Sequence, residues 1–304
     1  MIKLRKAFTE LNLPAQYEKD SDLKTLETWS QENISQDIHF RGTAPQRYDE
    51  YLAFTENFLD NFLAHLPANF MQYAAQHGYD RFISLNSDST KLNEPDNYGL
   101  TPLHQAAIKG YLFTVRALLK QGANPNLSNS QQQLPIQSSL LLPILHDEEL
   151  PQLKEEIFFE LFPVTTDALT KQDNAGNTLL HQLAAHGFLK IIKKLLNDNP
   201  QLAFIQNNVG VFPIHTAILN QQPEVVEFLL SIKGVSELSD SKNRNALHYA
   251  ARYGSAKIVK MCCHMVANID IRDSEGKTPL LLASLANNKE AVAVLTEYGA
   301  KIQP

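Results

Sequence analysis

The sequence predicts an all-α solenoid, a stack of short repeated units preceded by a helical cap. Three observations carry that prediction. A four-residue frame recurs from about residue 67 to the end of the 304-residue chain. Turn-forming residues recur in phase ahead of the frame, and apolar pairs recur in phase behind it, so each unit must bury its apolar face against its neighbours. The composition agrees, since 43% hydrophobic and 20% charged residues suit a packed core rather than disorder.

The frames are Thr101-Pro102-Leu103-His104, a degenerate Leu134-Pro135-Ile136-Gln137, Thr178-Leu179-Leu180-His181, Phe212-Pro213-Ile214-His215, Asn245-Ala246-Leu247-His248 and Thr278-Pro279-Leu280-Leu281. Successive starts lie 33, 44, 34, 33 and 33 residues apart, so one interval alone departs clearly from the period. Five residues ahead stand Asp96, Asp173, Asn207, Asp240 and Asp273, and two ahead stand Gly99, Gly176, Gly210, Asn243 and Gly276. Such residues close tight turns or accept positive φ. Seventeen and eighteen residues behind come Leu118-Leu119, Leu195-Leu196, Leu229-Leu230, Cys262-Cys263 and Leu295-Thr296, the expected buried face of a second helix. A weaker unit starts near 69, where Asn69 to Tyr79 aligns with Thr101 to Tyr111 and is followed by Phe82-Ile83.

These residues resemble the ankyrin repeat family. The resemblance implies helix-turn-helix units with a Thr-Pro-Leu-His turn, two antiparallel helices and a projecting hairpin tip. It covers about residues 67–304, seven units starting near 69, 101, 134, 178, 212, 245 and 278. Ala106-Ala107, Ala184-Ala185 and Ala250-Ala251 let first helices approach closely while keeping high helix propensity.

Residues 1–66 lack the frame and carry −4 of the total charge of −6. Apolar residues at helical spacing from Arg47 to Leu66, with shorter patterns upstream, predict a small acidic helical segment capping the first repeat. The long interval places an insertion at about 141–151, ahead of a second helix expected over Leu153 to Phe162. It reads equally as a binding loop or as a surface excursion folding back on the helices.

The chemistry-bearing residues point away from an enzyme. His104, His181, His215 and His248 share the fourth frame position, which implies hydrogen bonding within the turn. Equivalent side chains one repeat apart stand about 10 Å from each other, too far to share a metal. Cys262 and Cys263 replace core leucines. No phosphate loop, dinucleotide fingerprint, zinc-protease or hydrolase motif occurs. No catalytic, cofactor or metal residues are therefore assigned. The net negative charge argues against nucleic acid, no apolar stretch is long enough to span a membrane, and no secretory signal is visible, so a cytoplasmic monomer is expected.

Function is expected to lie in binding a partner protein through the concave groove and hairpin tips. The groove positions are the fifth, eighth and ninth of each frame. The predicted contacts are Tyr98, Ile108, Lys109, His186, Leu219, Tyr249, Arg252, Tyr253 and Leu282. Tyr249, Arg252 and Tyr253 stand out because Tyr and Arg are enriched at hot spots. The irregular repeats and the richness in Asn and Gln are similar in style to ankyrin-containing effectors that intracellular bacteria such as Legionella deliver into host cells, which implies a host protein as partner and export without a secretory signal peptide. The alternative is an enzyme whose site lies in residues 1–66 or at their junction with the repeats.

Overall fold

The computed structural model describes residues 70–78, 80–85, 91–140, 150–166 and 168–301. The acidic segment 1–66 and residues 141–149 of the insertion lie outside them. In chain order the α-helices are α1 (Phe70–His77), α2 (Asp80–Leu85), α3 (Pro102–Lys109), α4 (Leu112–Lys120), α5 (Pro135–Ser138), α6 (Leu150–Leu161), α7 (Leu179–His186), α8 (Leu189–Asp198), α9 (Pro213–Leu219), α10 (Pro223–Leu230), α11 (Ala246–Tyr253), α12 (Ala256–Met265), α13 (Pro279–Leu285) and α14 (Lys289–Glu297). Among the described residues there is no strand beyond an isolated Ser239–Asn245 bridge. This is an ankyrin-repeat solenoid, with a first and a second helix per unit.

The frame tetrapeptide starts the first helix. Thr101 caps α3: its Oγ1 accepts from the His104 N–H, and its own N–H donates to His104 Nδ1 at 3.2 Å. Both orphan donors of the helix start are satisfied reciprocally. Thr178 and Asn245 repeat the bond to His181 and His248. Where the frame has drifted, the Leu134 N–H donates to Gln137 Oε1 instead, at 2.9 Å. Proline in the first turn of α3, α5, α9 and α13 costs nothing, since its missing N–H would be unpaired there anyway.

The residues fall into two compact units. Within residues 70–130 and 150–164, α1 packs on α3, α2 on α4, and α4 on α6. The core holds Met71, Ile83, Leu103, Ala106, Ala107, Val115, Leu118, Ile157, Phe158 and Leu161. The helix of the irregular repeat begins at Leu150 and ends at Leu161, so Phe162, expected inside it, belongs to a 3-10 turn and stacks on Phe158 at 5.4 Å.

The second unit holds residues 131–140 and 165–301. First helices stack as α7, α9, α11 and α13, second helices as α8, α10, α12 and α14. Of the predicted apolar pairs, the first member is buried throughout the chain, whereas Leu119 is half-buried and Thr296 exposed. Neighbouring helix positions differ by about 100°, so the second member lies at the edge of the buried face and tolerates drift. Cys262 and Cys263 are both buried, as Leu195-Leu196 and Leu229-Leu230 are. Burial pushes the Cys262 thiol far up and the Cys263 thiol up to about 11, which leaves both inert near neutral pH.

Candidate protein-binding surface

Hairpins precede the first helices, and each tip is closed by its Asp or Asn. Asp96 Oδ1 accepts from the Tyr98 and Leu100 N–H groups at 2.8 and 2.9 Å. Asp173, Asn207, Asp240 and Asp273 repeat the arrangement. At the glycine position Asn243 adopts φ 57°, the left-handed conformation that asparagine tolerates best among residues with a side chain. Tips are tied to one another through backbone: the Asn208 N–H donates to the Ala175 carbonyl, and the Ser274 N–H to the Lys242 carbonyl.

The fifth frame position is buried at Gln105, Gln182, Tyr249 and Leu282 and half-buried at Thr216, which corrects the sequence reading. Gln105 is buried, and its Nε2 donates to Asp96 Oδ2 at 2.8 Å. Tyr249, 9% exposed, donates its hydroxyl to Asp240 Oδ2 at 2.8 Å. Leu282 is 2% exposed. Tyr249 and Leu282 are therefore not free contact side chains. The base of the hairpin folds over the fifth position, and a polar residue there reaches the tip aspartate nine residues back. In the repeat starting at 178, the Asn177 amide sits against Asp173 Oδ2 instead, and both amide atoms of the buried Gln182 lack a partner.

The eighth and ninth positions stand clear of the hairpin. In the second unit Leu219, Arg252 and Tyr253 are exposed, His186 is half-buried, and Leu285 is 65% exposed. In the first unit Lys109 is exposed, Ile108 half-buried, and Tyr98 stands 74% exposed at its tip. Val209 is the corresponding tip residue of the second unit, 61% exposed.

A run of rings supports the centre of the second unit's row. Buried His215 stacks on Tyr249 at 4.5 Å, Tyr249 meets Tyr253 at 6.3 Å, and the Arg252 guanidinium lies 5.1 Å over the Tyr253 ring. Gln221 anchors the same turn from the preceding repeat, its amide donating to the Tyr253 carbonyl and its Oε1 accepting from the Ser255 N–H. Asn288 does likewise from the following repeat, bonding the Ala251 and Gly254 carbonyls. Sequence reasoning missed these clamps.

The histidines are structural. His181 Nδ1 accepts from the Thr178 N–H, so Nε2 carries the proton and donates to the Val211 carbonyl of the next repeat at 2.9 Å. Burial holds His181, His215 and His248 below the usual imidazole range, and His215 falls to about 4 despite the nearby Asp240 charge. Among the described residues no group of three His, Cys, Asp or Glu is placed to hold a metal ion, and no helix is long and apolar enough to cross a membrane.

A family model described as ankyrin repeats (3 copies) matches residues 152–237 and 231–304, and a single ankyrin repeat model matches 98–130. The chain belongs to the ankyrin-repeat family. It is 29% identical over 213 residues to the probable 26S proteasome regulatory subunit p28 of Saccharomyces cerevisiae, covering 66% of this chain and 86% of that protein. It is 28% identical over 212 residues to the human transient receptor potential cation channel subfamily A member 1, covering 66% of this chain and 18% of the channel. It is 36% identical over 125 residues to mouse NF-kappa-B inhibitor delta, covering 40% of this chain and 38% of that protein. Among solved structures, the ankyrin repeat domain of human ASB11 superposes with a TM-score of 0.60 at 18% identity, over 77% of this chain and 99% of that one. That of Bcl-3 gives 0.56 at 20%, over 74% and 97%. These likenesses fix the fold. Ankyrin repeats are protein–protein interaction modules, and two of the relatives are named as a regulatory subunit and an inhibitor.

Proposed function

We propose that this ankyrin-repeat chain works as a monomeric cytoplasmic binding module that grips one partner protein along the exposed row of its first helices and at its hairpin tips. One observation carries the reading: Leu219, Tyr253 and Leu285 expose apolar surface on successive first helices, and Gln221 and Asn288 clamp the turn that carries Tyr253. Exposed apolar and aromatic side chains on a preorganised scaffold mark recognition surfaces. Tyr98 and Val209 add contact at the tips, with Ile108, Lys109, His186 and Arg252 beside them. Buried Tyr249 and Leu282 act by positioning that surface.

The test is affinity capture with the intact chain and with Leu219→Ser/Leu285→Ser. Both residues are exposed, so the double variant should melt within a few degrees of the parent. Its captured partner should fall by most of its yield. A partner held equally well by both proteins removes the first-helix row from the binding surface. The sequence style shared with bacterial effectors supports a host protein as the finer reading, and parallel capture from host and bacterial lysates separates the two sources.

A further inference from the structure

The row of the second unit has a charge pattern that specifies what it can bind. The fifth, eighth and ninth positions of its four complete repeats are Gln182, Ala185, His186; Thr216, Leu219, Asn220; Tyr249, Arg252, Tyr253; and Leu282, Leu285, Ala286. None is a carboxylate, in a chain whose net charge is −6. Arg252 stands at the centre, with exposed Leu219 one repeat before it and exposed Leu285 one repeat after. Its guanidinium engages the Tyr253 ring and, among the described residues, no carboxylate. Neighbouring cations are treated differently: Lys242, Arg244 and Lys277 all pair with Glu275, and Lys257 pairs with Glu224. Arg252 thus keeps its full donor fork for an incoming group, on an aromatic platform that fixes its plane.

Spacing and width define the rest. Equivalent positions on successive helices lie about 10 Å apart, which an extended polyproline II segment, rising about 3.1 Å per residue with three residues per turn, crosses in one turn, so that side chains three apart face the same way. With Tyr249 and Leu282 closed off, the exposed line narrows to the eighth and ninth positions, Asn220, Tyr253 and Ala286 lying beside Leu219, Arg252 and Leu285. That suits a slender polyproline II segment better than a helix of about 10–12 Å. We infer that the partner presents an extended segment in which a Glu or Asp stands three residues from an apolar side chain on each side. The carboxylate meets Arg252, and the apolar groups rest on Leu219 and Leu285. This rests on the first-helix row being the binding surface.

The experiment is fluorescence polarisation of the full chain with three labelled eleven-residue peptides in a Ser/Ala background. Each carries Leu at its third and ninth positions and Glu, Gln or Lys at its sixth. The Glu peptide should bind about fivefold more tightly than the Gln peptide at low salt, the Lys peptide more weakly still, and the differences should shrink as salt is added. Arg252→Glu should invert the order of the Glu and Lys peptides, a reversal that misfolding cannot produce. Equal affinities, no binding of the Glu peptide, or an order that survives Arg252→Glu overturns the inference. Those outcomes leave the first-helix row itself to stand or fall on whether Leu219→Ser/Leu285→Ser releases the captured partner.

Discussion

Acid should weaken this fold through its buried histidines, and His215 isolates the effect. The Phe212 N–H points at His215 Nδ1 from 3.2 Å, so protonating that nitrogen would set two hydrogens against each other, in a buried site. The folded-state value is about 4, against the ordinary 6.5 that the unfolded chain regains. A depressed folded value means the unfolded state takes up the proton first. The stability His215 confers is complete above pH 6.5 and is lost as the pH falls from there toward 4. His215 alone should withdraw about 2 kcal/mol between pH 7 and pH 5. His181 and His248 push the same way. The variant to compare is His215→Gln, because Gln137 already caps α5 at the same frame position through its Oε1. It keeps an acceptor for the Phe212 N–H and removes the titration. Urea unfolding followed by circular dichroism at pH 7, 6 and 5 should give a parent that loses about 2 kcal/mol more than His215→Gln across the range. Parallel pH profiles would refute the account of His215 as a group held neutral by burial.

Two further substitutions test the packing. Gln182→Leu copies the residue that the last repeat carries as Leu282 and removes two buried atoms without partners, so it should stabilise the chain by about 1 kcal/mol, read as a higher urea midpoint; a lower midpoint would mean the amide is satisfied after all. Gly99 and Gly122 both have positive φ, but a Cβ at Gly99 would meet the Ser130 nitrogen at 2.7 Å whereas nothing lies within 4 Å at Gly122. Gly122→Ala should cost about 1 kcal/mol and Gly99→Ala at least twice that, and equal melting temperatures would contradict the close approach of the tip.

Much of this architecture could be read from residues alone, because a repeat states each structural rule several times over. The period located the helix pairs, the Thr–His frame located the first-helix caps, and the cysteine pair fell into the core slots of the repeat. The fifth frame position was misjudged for a geometric reason. On a helix it lies between the eighth and ninth in angle, so a helical projection puts Gln105 or Tyr249 on the same face as Lys109 or Arg252. It sits one turn nearer the hairpin, however, and the hairpin covers it. That cover is tertiary, and its trace in the sequence is only the constant nine-residue step from Asp96 to Gln105 and from Asp240 to Tyr249. The Gln221 and Asn288 clamps were hidden similarly, since an amide beyond a helix end reads as an ordinary loop residue until the neighbouring repeat supplies the carbonyl.

The nine-residue lock bears on how such a chain can grow. Gln105 with Asp96, and Tyr249 with Asp240, join two positions of one repeat, so a duplicated segment of one period inherits its lock intact. The bonds from His181 to Val211 and from His248 to Lys277 cross between repeats, yet each asks only for a backbone carbonyl, which any neighbour offers. A copy inserted beside either would find its seams already compatible. Side-chain bonds across a seam, such as Arg244 with Asp273 and Asn207 with Asn177, are more demanding. Those junctions would resist having their two repeats separated by an inserted third.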